Sequence, residues 1–252
     1  MSGVCVITGG ARGIGRATAL QAAREGFAVA VNYLGREDAA AAVVDSIRGQ
    51  GGRAIAIQGD VANEQDVIRV FEQAEQALGP ITGLVNSAGI AHHNACADFD
   101  ASQLAQMMNI NVIGLMLCCR EGVRRMASDR GGQGGSIVSV SSMAATIGGR
   151  PGASSYAASK AAVDSFTTGL AKEVAAKGIR VNAVRPGFTL TDMTRGVSND
   201  PQRLAGLTRT IPQNRAGEPE EVAQAICFLL SSAASYISGA HLDVSGGGFV
   251  IG

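Results

Sequence analysis

The stretch Val4-Cys5-Val6-Ile7-Thr8-Gly9-Gly10-Ala11-Arg12-Gly13-Ile14-Gly15, running on into the apolar pattern Arg16–Glu25, decides the fold. Its first residues are apolar without alternation, as in a strand covered by helices on both faces. The glycines that follow permit positive φ and close approach of a ligand to the backbone. A helix then starts, and its first N–H groups are unpaired and partially positive, which suits them to receive a phosphate. Strand, glycine turn and helix in this order read as the pyrophosphate site of a dinucleotide fold, with Gly9, Arg12, Gly13, Ile14 and Gly15 as candidate ligands. The run is a near miss for a nucleoside-triphosphate loop, because Gly10-x4-Gly15 is followed by Arg16-Ala17 and not by Lys-Ser or Lys-Thr. Without that lysine and the magnesium-binding hydroxyl, triphosphate hydrolysis is not expected. On this motif alone, a plain glycine-rich βα turn remains the alternative.

Outward from the turn, short β-rich runs alternate with helical patterns along the whole chain, the mark of βαβ units and a parallel sheet. Strands are expected near Val4–Ile7, Ala28–Asn32, Ala54–Gln58, Gly83–Asn86, Ser136–Val140, Arg180–Val184 and His241–Val244. Helices are expected near 13–25, 37–49, 64–78, 101–127, 155–176 and 219–231. The expected architecture is α/β: one Rossmann-like, doubly wound domain over 1–252, its parallel sheet of about seven strands. The least regular stretch, around 189–217, is long enough to be a substrate lid; a solvated insertion is the other reading. At the end of the second strand, Ala30-Val31-Asn32-Tyr33-Leu34-Gly35-Arg36 carries no carboxylate before Glu37. An acid there would bond the ribose 2′-hydroxyl of NAD and repel a 2′-phosphate. Its absence, with Asn32 at the strand end and Arg12 and Arg36 nearby, favours NADP(H), with NAD(H) as the alternative if both arginines are only solvated.

Composition limits the function. Of 252 residues 46% are apolar and 17% charged, which excludes a disordered chain. The 21 basic residues match 21 acidic ones, so no global field recruits nucleic acid or an anionic membrane. Five cysteines without a C-x-x-C pair argue against a disulfide framework or zinc site. His92-His93 is a poor chelate, so no metal is expected. No basic leader and no uninterrupted apolar run of membrane-spanning length is visible, and a cytoplasmic setting is expected. Arg120, Arg124 and Arg125 read as a solvated helix face, with an anion patch as the alternative, and Cys118-Cys119 as core.

Tyr156-Ala157-Ala158-Ser159-Lys160 opens a predicted helix, and the i, i+4 spacing puts Tyr156 and Lys160 on one face, one turn apart. A neighbouring ammonium stabilises a phenolate and lowers the phenol's pKa, giving a general acid/base suited to interconverting an alcohol and a carbonyl. Such a pair is usually only two surface neighbours. Here, however, the chain holds just three tyrosines (33, 156, 236) and three lysines (160, 172, 177).

With Asp60-Val61, Asn86-Ser87-Ala88-Gly89, Asn111, Ser142 and Arg185-Pro186-Gly187 added in order, the whole chain resembles the short-chain dehydrogenase/reductases. The resemblance implies hydride transfer between a nicotinamide cofactor and a small alcohol, ketone or aldehyde. It implies Tyr156 as proton donor and acceptor, Lys160 as its partner and a hold on the nicotinamide ribose, Ser142 as the hydroxyl on the substrate oxygen, and Asn111 as a water-mediated link to the lysine. It further implies Asp60 and Val61 at the adenine, Asn86, Ala88 and Gly89 along the cofactor wall, and Pro186, Gly187, Thr189 and Thr191 at the nicotinamide amide. Three departures stand out. Ser87 replaces a second Asn; Ser142 stands fourteen residues before Tyr156 where thirteen is common, which keeps Ser141 open as an alternative; and Thr189 replaces an apolar residue. In this family helices such as 101–127 and 155–176 pack between subunits, so a homotetramer or homodimer is expected, with the apolar C-terminus docked. A dinucleotide-binding regulator with little turnover is the alternative function.

Overall fold

The computed structural model describes residues 3–248. Strands β1 (Val4–Thr8), β2 (Ala28–Tyr33), β3 (Ala54–Gln58), β4 (Ile81–Asn86), β5 (Gly135–Val140), β6 (Ile179–Pro186) and β7 (His241–Val244) form the sheet. Between them run α1 (Gly13–Arg24), α2 (Glu37–Gly49), α3 (Glu64–Leu78), α4 (Ala101–Met108), α5 (Leu115–Met126), α6 (Ala144–Ile147), α7 (Ser154–Val174), α8 (Arg195–Ser198), α9 (Pro201–Thr208) and α10 (Pro219–Leu230). The sheet has seven strands in the order β3-β2-β1-β4-β5-β6-β7, and every pairing is parallel. The fold is α/β, doubly wound and Rossmann-like.

The two-residue period of a strand sorts side chains to two cores. From β1, Val4 and Val6 join Phe71, Leu84 and Ile137 under α3, α5 and α7. Cys5 and Ile7 join Val29, Val44 and Ile226 under α1, α2 and α10. That double burial is why β1 is apolar at consecutive positions. The helices start where the sequence supplies a stop. The Asn63 side chain accepts from the N–H groups of Gln65 and Asp66 at 3.0 and 3.1 Å to cap α3, and Pro219 opens α10 behind a Glu218/Glu221 capping box. The winding runs β1 to β2 to β3 on one side, then returns to place β4 on the other side of β1. The crevice at the C-terminal ends of β1 and β4 is therefore the switch point, where open α/β sheets bind ligands.

Two expectations are refined. The helix expected over 101–127 is interrupted: Asn109–Gly114 forms a π-helical turn between α4 and α5, an insertion that hydrophobic periodicity does not register. By length and composition Ala101–Met126 also passes as a membrane span; counting uninterrupted apolar runs overlooked it. In the fold it is a layer of the sandwich, burying Met107, Leu115, Cys118, Cys119 and Met126. The irregular stretch after β6 contains α8 and α9, and the docked C-terminus expected of 249–252 lies outside the described residues.

Candidate active site

The glycine turn is stitched to its neighbours by backbone polar groups. Thr8 Oγ1 accepts from the N–H groups of Ser87 and Ala88 at 3.1 and 3.2 Å, and Gly10 N–H donates to the Asn32 carbonyl at 2.9 Å. Gly9 has φ +63°, and a Cβ there would come within 2.9 Å of Ala88 Cα. A Cβ on Gly15 would collide with the Gly9 carbonyl. Helix α1 follows Arg12 with no side-chain cap and no acid in its first turn, so its leading N–H groups are left for an anion. Asn32 Nδ2 donates to the carbonyls of Ile57 and Gly59 at 3.3 and 3.0 Å, fixing the turn after β3.

The second half of the site stands where β4, β5 and β6 end and α7 begins. Lys160 is 6% exposed, and its ammonium donates to the Val140 carbonyl at 2.8 Å, 5.8 Å from the centre of the Tyr156 ring. Burial pulls the lysine down to about 8, against the charge of Asp164 one turn further along α7. Ser142 bonds the Tyr156 hydroxyl and accepts from Ala144 N–H at 3.1 Å. Ser141 is turned away, its hydroxyl donating to the Lys160 carbonyl at 3.2 Å, so Ser142 is the serine beside the phenol. Asn111, 1% exposed, clamps Ile90 from both sides: its Oδ1 accepts from Ile90 N–H and its Nδ2 donates to the Ile90 carbonyl, both at 2.9 Å. Its Nδ2 also reaches Ser159 Oγ at 3.1 Å. A Cβ on Gly89 would lie 3.2 Å from Asn111 Oδ1 and 3.5 Å from Lys160 Nζ, so the bare backbone lets both groups converge.

One expectation is corrected. Burial pushes the Tyr156 phenol above its ordinary value, opposed by the Ser142 hydrogen bond. The ammonium expected to draw it down is held at Val140 instead.

A cavity of about 480 Å³ joins the two halves. Gly9, Arg12, Gly13, Ile14, Asn32, Arg36, Asp60, Val61, Ala88, Gly89, Ser142, Tyr156, Lys160, Pro186, Gly187, Thr189 and Thr191 all line it. Three of the residues singled out do not. Gly15 packs under the turn, Asn111 acts through Ile90 and Ser159, and Asn86 points inward to Cys119 Sγ and Ser139 Oγ at 3.2 and 3.4 Å. Sequence reasoning did not single out Ile110, Phe188, Asp192 and Met193, which join the lining from the π turn and from the segment after β6. It also missed what the arginines do. Arg12 pairs with Asp192 at 3.2 Å, and Arg36 makes a two-point contact with Asp38 at 3.0 and 3.1 Å. A second cavity, about 730 Å³, opens at the N-terminal ends of β1 to β4 around Arg24, Phe27 and Arg53, at the opposite end of the strands from the titratable cluster. No group of three or more metal-ligating side chains occurs among the described residues.

These features fit a dinucleotide: a turn that tolerates no Cβ, an uncapped helix start, and a cavity running from there to a buried lysine. The family profile described as enoyl-(acyl carrier protein) reductase matches residues 9–248. An Escherichia coli K12 protein named uncharacterized oxidoreductase YgfF is 46% identical over 245 residues, 97% of this chain and 99% of that one. The chain belongs to the short-chain dehydrogenase/reductase family. Another family member, the human 3-oxoacyl-[acyl-carrier-protein] reductase, is 42% identical over 247 residues, 98% of each chain. Among solved structures, a blue fluorescent protein from a metagenomic library, in complex with NADPH, superposes with a TM-score of 0.90 at 34% identity over 98% of both chains. As a short-chain dehydrogenase/reductase the protein is an NAD(P)-dependent oxidoreductase acting on CH–OH and C=O groups.

Proposed function

We propose that the protein interconverts a small alcohol and its ketone or aldehyde with NADP(H) as preferred coenzyme. The observation that carries this reading is the Tyr156 hydroxyl, bonded to Ser142 and one helical turn from buried Lys160, in a cavity whose far end is the glycine turn. The nicotinamide, when bound, supplies or accepts the hydride. The chain's part is to hold the substrate oxygen and move a proton. Ser142 and Tyr156 donate hydrogen bonds to the oxygen where charge develops, and Tyr156 gives or takes the proton. Raised by burial, the phenol is protonated at neutral pH and ready to donate to a carbonyl. Lys160 sets the charge beside it and orients the cofactor ribose. Asn111 is a positioning residue, fixing Ile90 on one side and Ser159 on the other.

The glycine turn holds the pyrophosphate side, Asn32, Asp60 and Val61 the adenosine side with Arg12 and Arg36 at its 2′-phosphate, and Pro186, Gly187, Thr189 and Thr191 the nicotinamide side. The segment 189–217 is a lid on this reading, hinged where Leu190 N–H meets the Gly217 carbonyl at 2.9 Å. The apolar Ile90, Ile110, Phe188 and Met193 suit a substrate with a hydrocarbon body, in keeping with the 3-oxoacyl reductases among the relatives. The oxidoreductase relatives weigh against the regulatory alternative. A cytoplasmic setting agrees with five unpaired cysteines, and a homotetramer or homodimer with the exposed apolar residues of α4, the π turn and α10.

A screen of carbonyl compounds and alcohols against NADPH/NADP and NADH/NAD tests the reaction. Tyr156→Phe tests the mechanism: turnover falls about a hundredfold or more while coenzyme binding is retained. A fully active variant overturns it.

A further inference from the structure

The second strand ends without an acid, but the structure brings one in from the opposite wall. Asp192 lines the cavity from the segment after β6 and meets Arg12, the cation of the glycine turn, across 180 positions of sequence at 3.2 Å. Its other oxygen is held by Arg195. Its charge also acts on Arg36, whose guanidinium is already gripped by both oxygens of Asp38. One carboxylate thus pairs with two arginines, Arg12 and Arg195, and its charge is felt by a third, Arg36; Arg12 and Arg36 are the cations assigned to a 2′-phosphate.

The backbone around Asp192 is built to hold this position. Thr191 N–H donates to Thr194 Oγ1 at 3.0 Å, Thr194 Oγ1 donates to the Thr189 carbonyl at 2.7 Å, and a Cβ on Gly13 would touch Thr191 Cγ2 at 3.3 Å. The segment therefore lies directly against the glycine turn, and the ion pair ties the two together. Arg12 and Asp192 remain 53% and 37% exposed, open enough for an incoming anion to compete.

We propose that Asp192 sets coenzyme preference by competing with the 2′-phosphate of NADP(H) for Arg12, while NAD(H), lacking that phosphate, leaves the tether intact. The proposal rests on the reading of Arg12 as a 2′-phosphate ligand. The exchange is graded because Asp192 keeps Arg195 when Arg12 turns away. Asp192 thereby moderates a preference that the acid-free end of β2 would otherwise make steep, and it couples the lid segment to which coenzyme is bound.

The test is a double-mutant cycle of Asp192→Asn and Arg12→Gln, read as Kd for NADPH and for NADH by nucleotide fluorescence. Amide hydrogen exchange over 190–200 of the nucleotide-free protein is measured in parallel. Asp192→Asn is expected to tighten NADPH about two- to fivefold, the range an exposed ion pair supports, with NADH unchanged. The gain disappears in the Arg12→Gln background, and both single variants speed exchange in the segment. If Arg12→Gln weakens NADPH but Asp192→Asn moves neither Kd, the role of Asp192 is overturned and the coenzyme reading stands. An equal change for both coenzymes, or a gain that persists without Arg12, also overturns it. If Arg12→Gln leaves NADPH binding untouched, the coenzyme reading itself fails and the inference falls with it.

Discussion

Lys160 is the residue whose environment departs furthest from its solution chemistry while staying functional. Its side chain is drawn from an ordinary 10.5 to about 8 by burial, so the folded protein sheds that proton before the unfolded chain does. Between those two values the unfolded state binds more protons, and stability rises with pH. At full effect the gain is about 3 kcal/mol. Urea denaturation of the wild type is therefore expected to show a climb between pH 8 and 10.5 that Lys160→Met lacks; parallel profiles for the two proteins would contradict the assigned burial. If the proposed role of Lys160 holds, an amine charged at neutral pH and neutral above about 8 is expected to give carbonyl reduction an upper limb. At this scale the sequence offered candidate residues but not where each side chain points. The spacing placed Tyr156 and Lys160 on one face, as found. The pull of the Val140 carbonyl on the ammonium and the pairing of Arg12 with Asp192 depend on chain segments 20 and 180 residues away, and no local pattern encodes them.

At the scale of elements, strands and helices were legible to within two residues at almost every end, because double burial leaves an unbroken apolar run and amphipathic helices leave a 3.6-residue period. What escaped were features without a period. The π turn at Asn109–Gly114 rotates Asn111 into contact with Ile90 and Ser159, and α8 and α9 are two short helices within the lid segment. The basic face of α5 was also misjudged as simply solvated. Glu121, its side chain 3% exposed, is bonded by Arg125 at 2.6 Å, Arg124 at 2.9 Å and Arg120 at 3.1 Å. Arg120 goes on to Glu64 at 2.6 Å, and Arg125 lies 5.5 Å over the Phe71 ring. Burial alone would raise the Glu121 carboxyl; Arg125, then Arg124 and Arg120, hold it below its ordinary value. A depressed carboxyl stabilises the fold above its unfolded pKa and loses that contribution as pH falls through the folded one. Glu121→Gln is expected to cost about 1–3 kcal/mol at neutral pH by urea denaturation, with the deficit shrinking in acid; a deficit that grows as pH falls would refute the network as the source.

At the scale of the molecule, two of the large apolar residues left exposed, Leu34 and Met193, line the coenzyme cavity, and the others fall into two groups. Met108 (37% exposed), just before the π turn, and Ile113 (48%), within it, lie beside α7, whose outward positions Ala158, Ala161, Ser165 and Gly169 are all small. Small residues repeated every three or four positions let a second helix approach closely. Phe228 (43% exposed) on α10, Tyr236 (103%) in the connection that follows and Leu242 (38%) on β7 form the other group; β7 is the edge strand, with no neighbour on its outer side among the described residues. Two distinct faces, each meeting its own copy about a twofold axis, generate a closed tetramer, whereas one face alone stops at a dimer. Light scattering at micromolar concentration is accordingly expected to report a tetramer. Ile113→Arg should reduce it to dimers held by the α10/β7 face, and Phe228→Arg to dimers held by the face of α4, the π turn and α7. Combined, the two changes should yield monomers with the far-ultraviolet circular dichroism of the wild type. A dimeric wild type that only one substitution dissociates would assign the contact to that face and reject the second axis; a monomeric wild type would reject both.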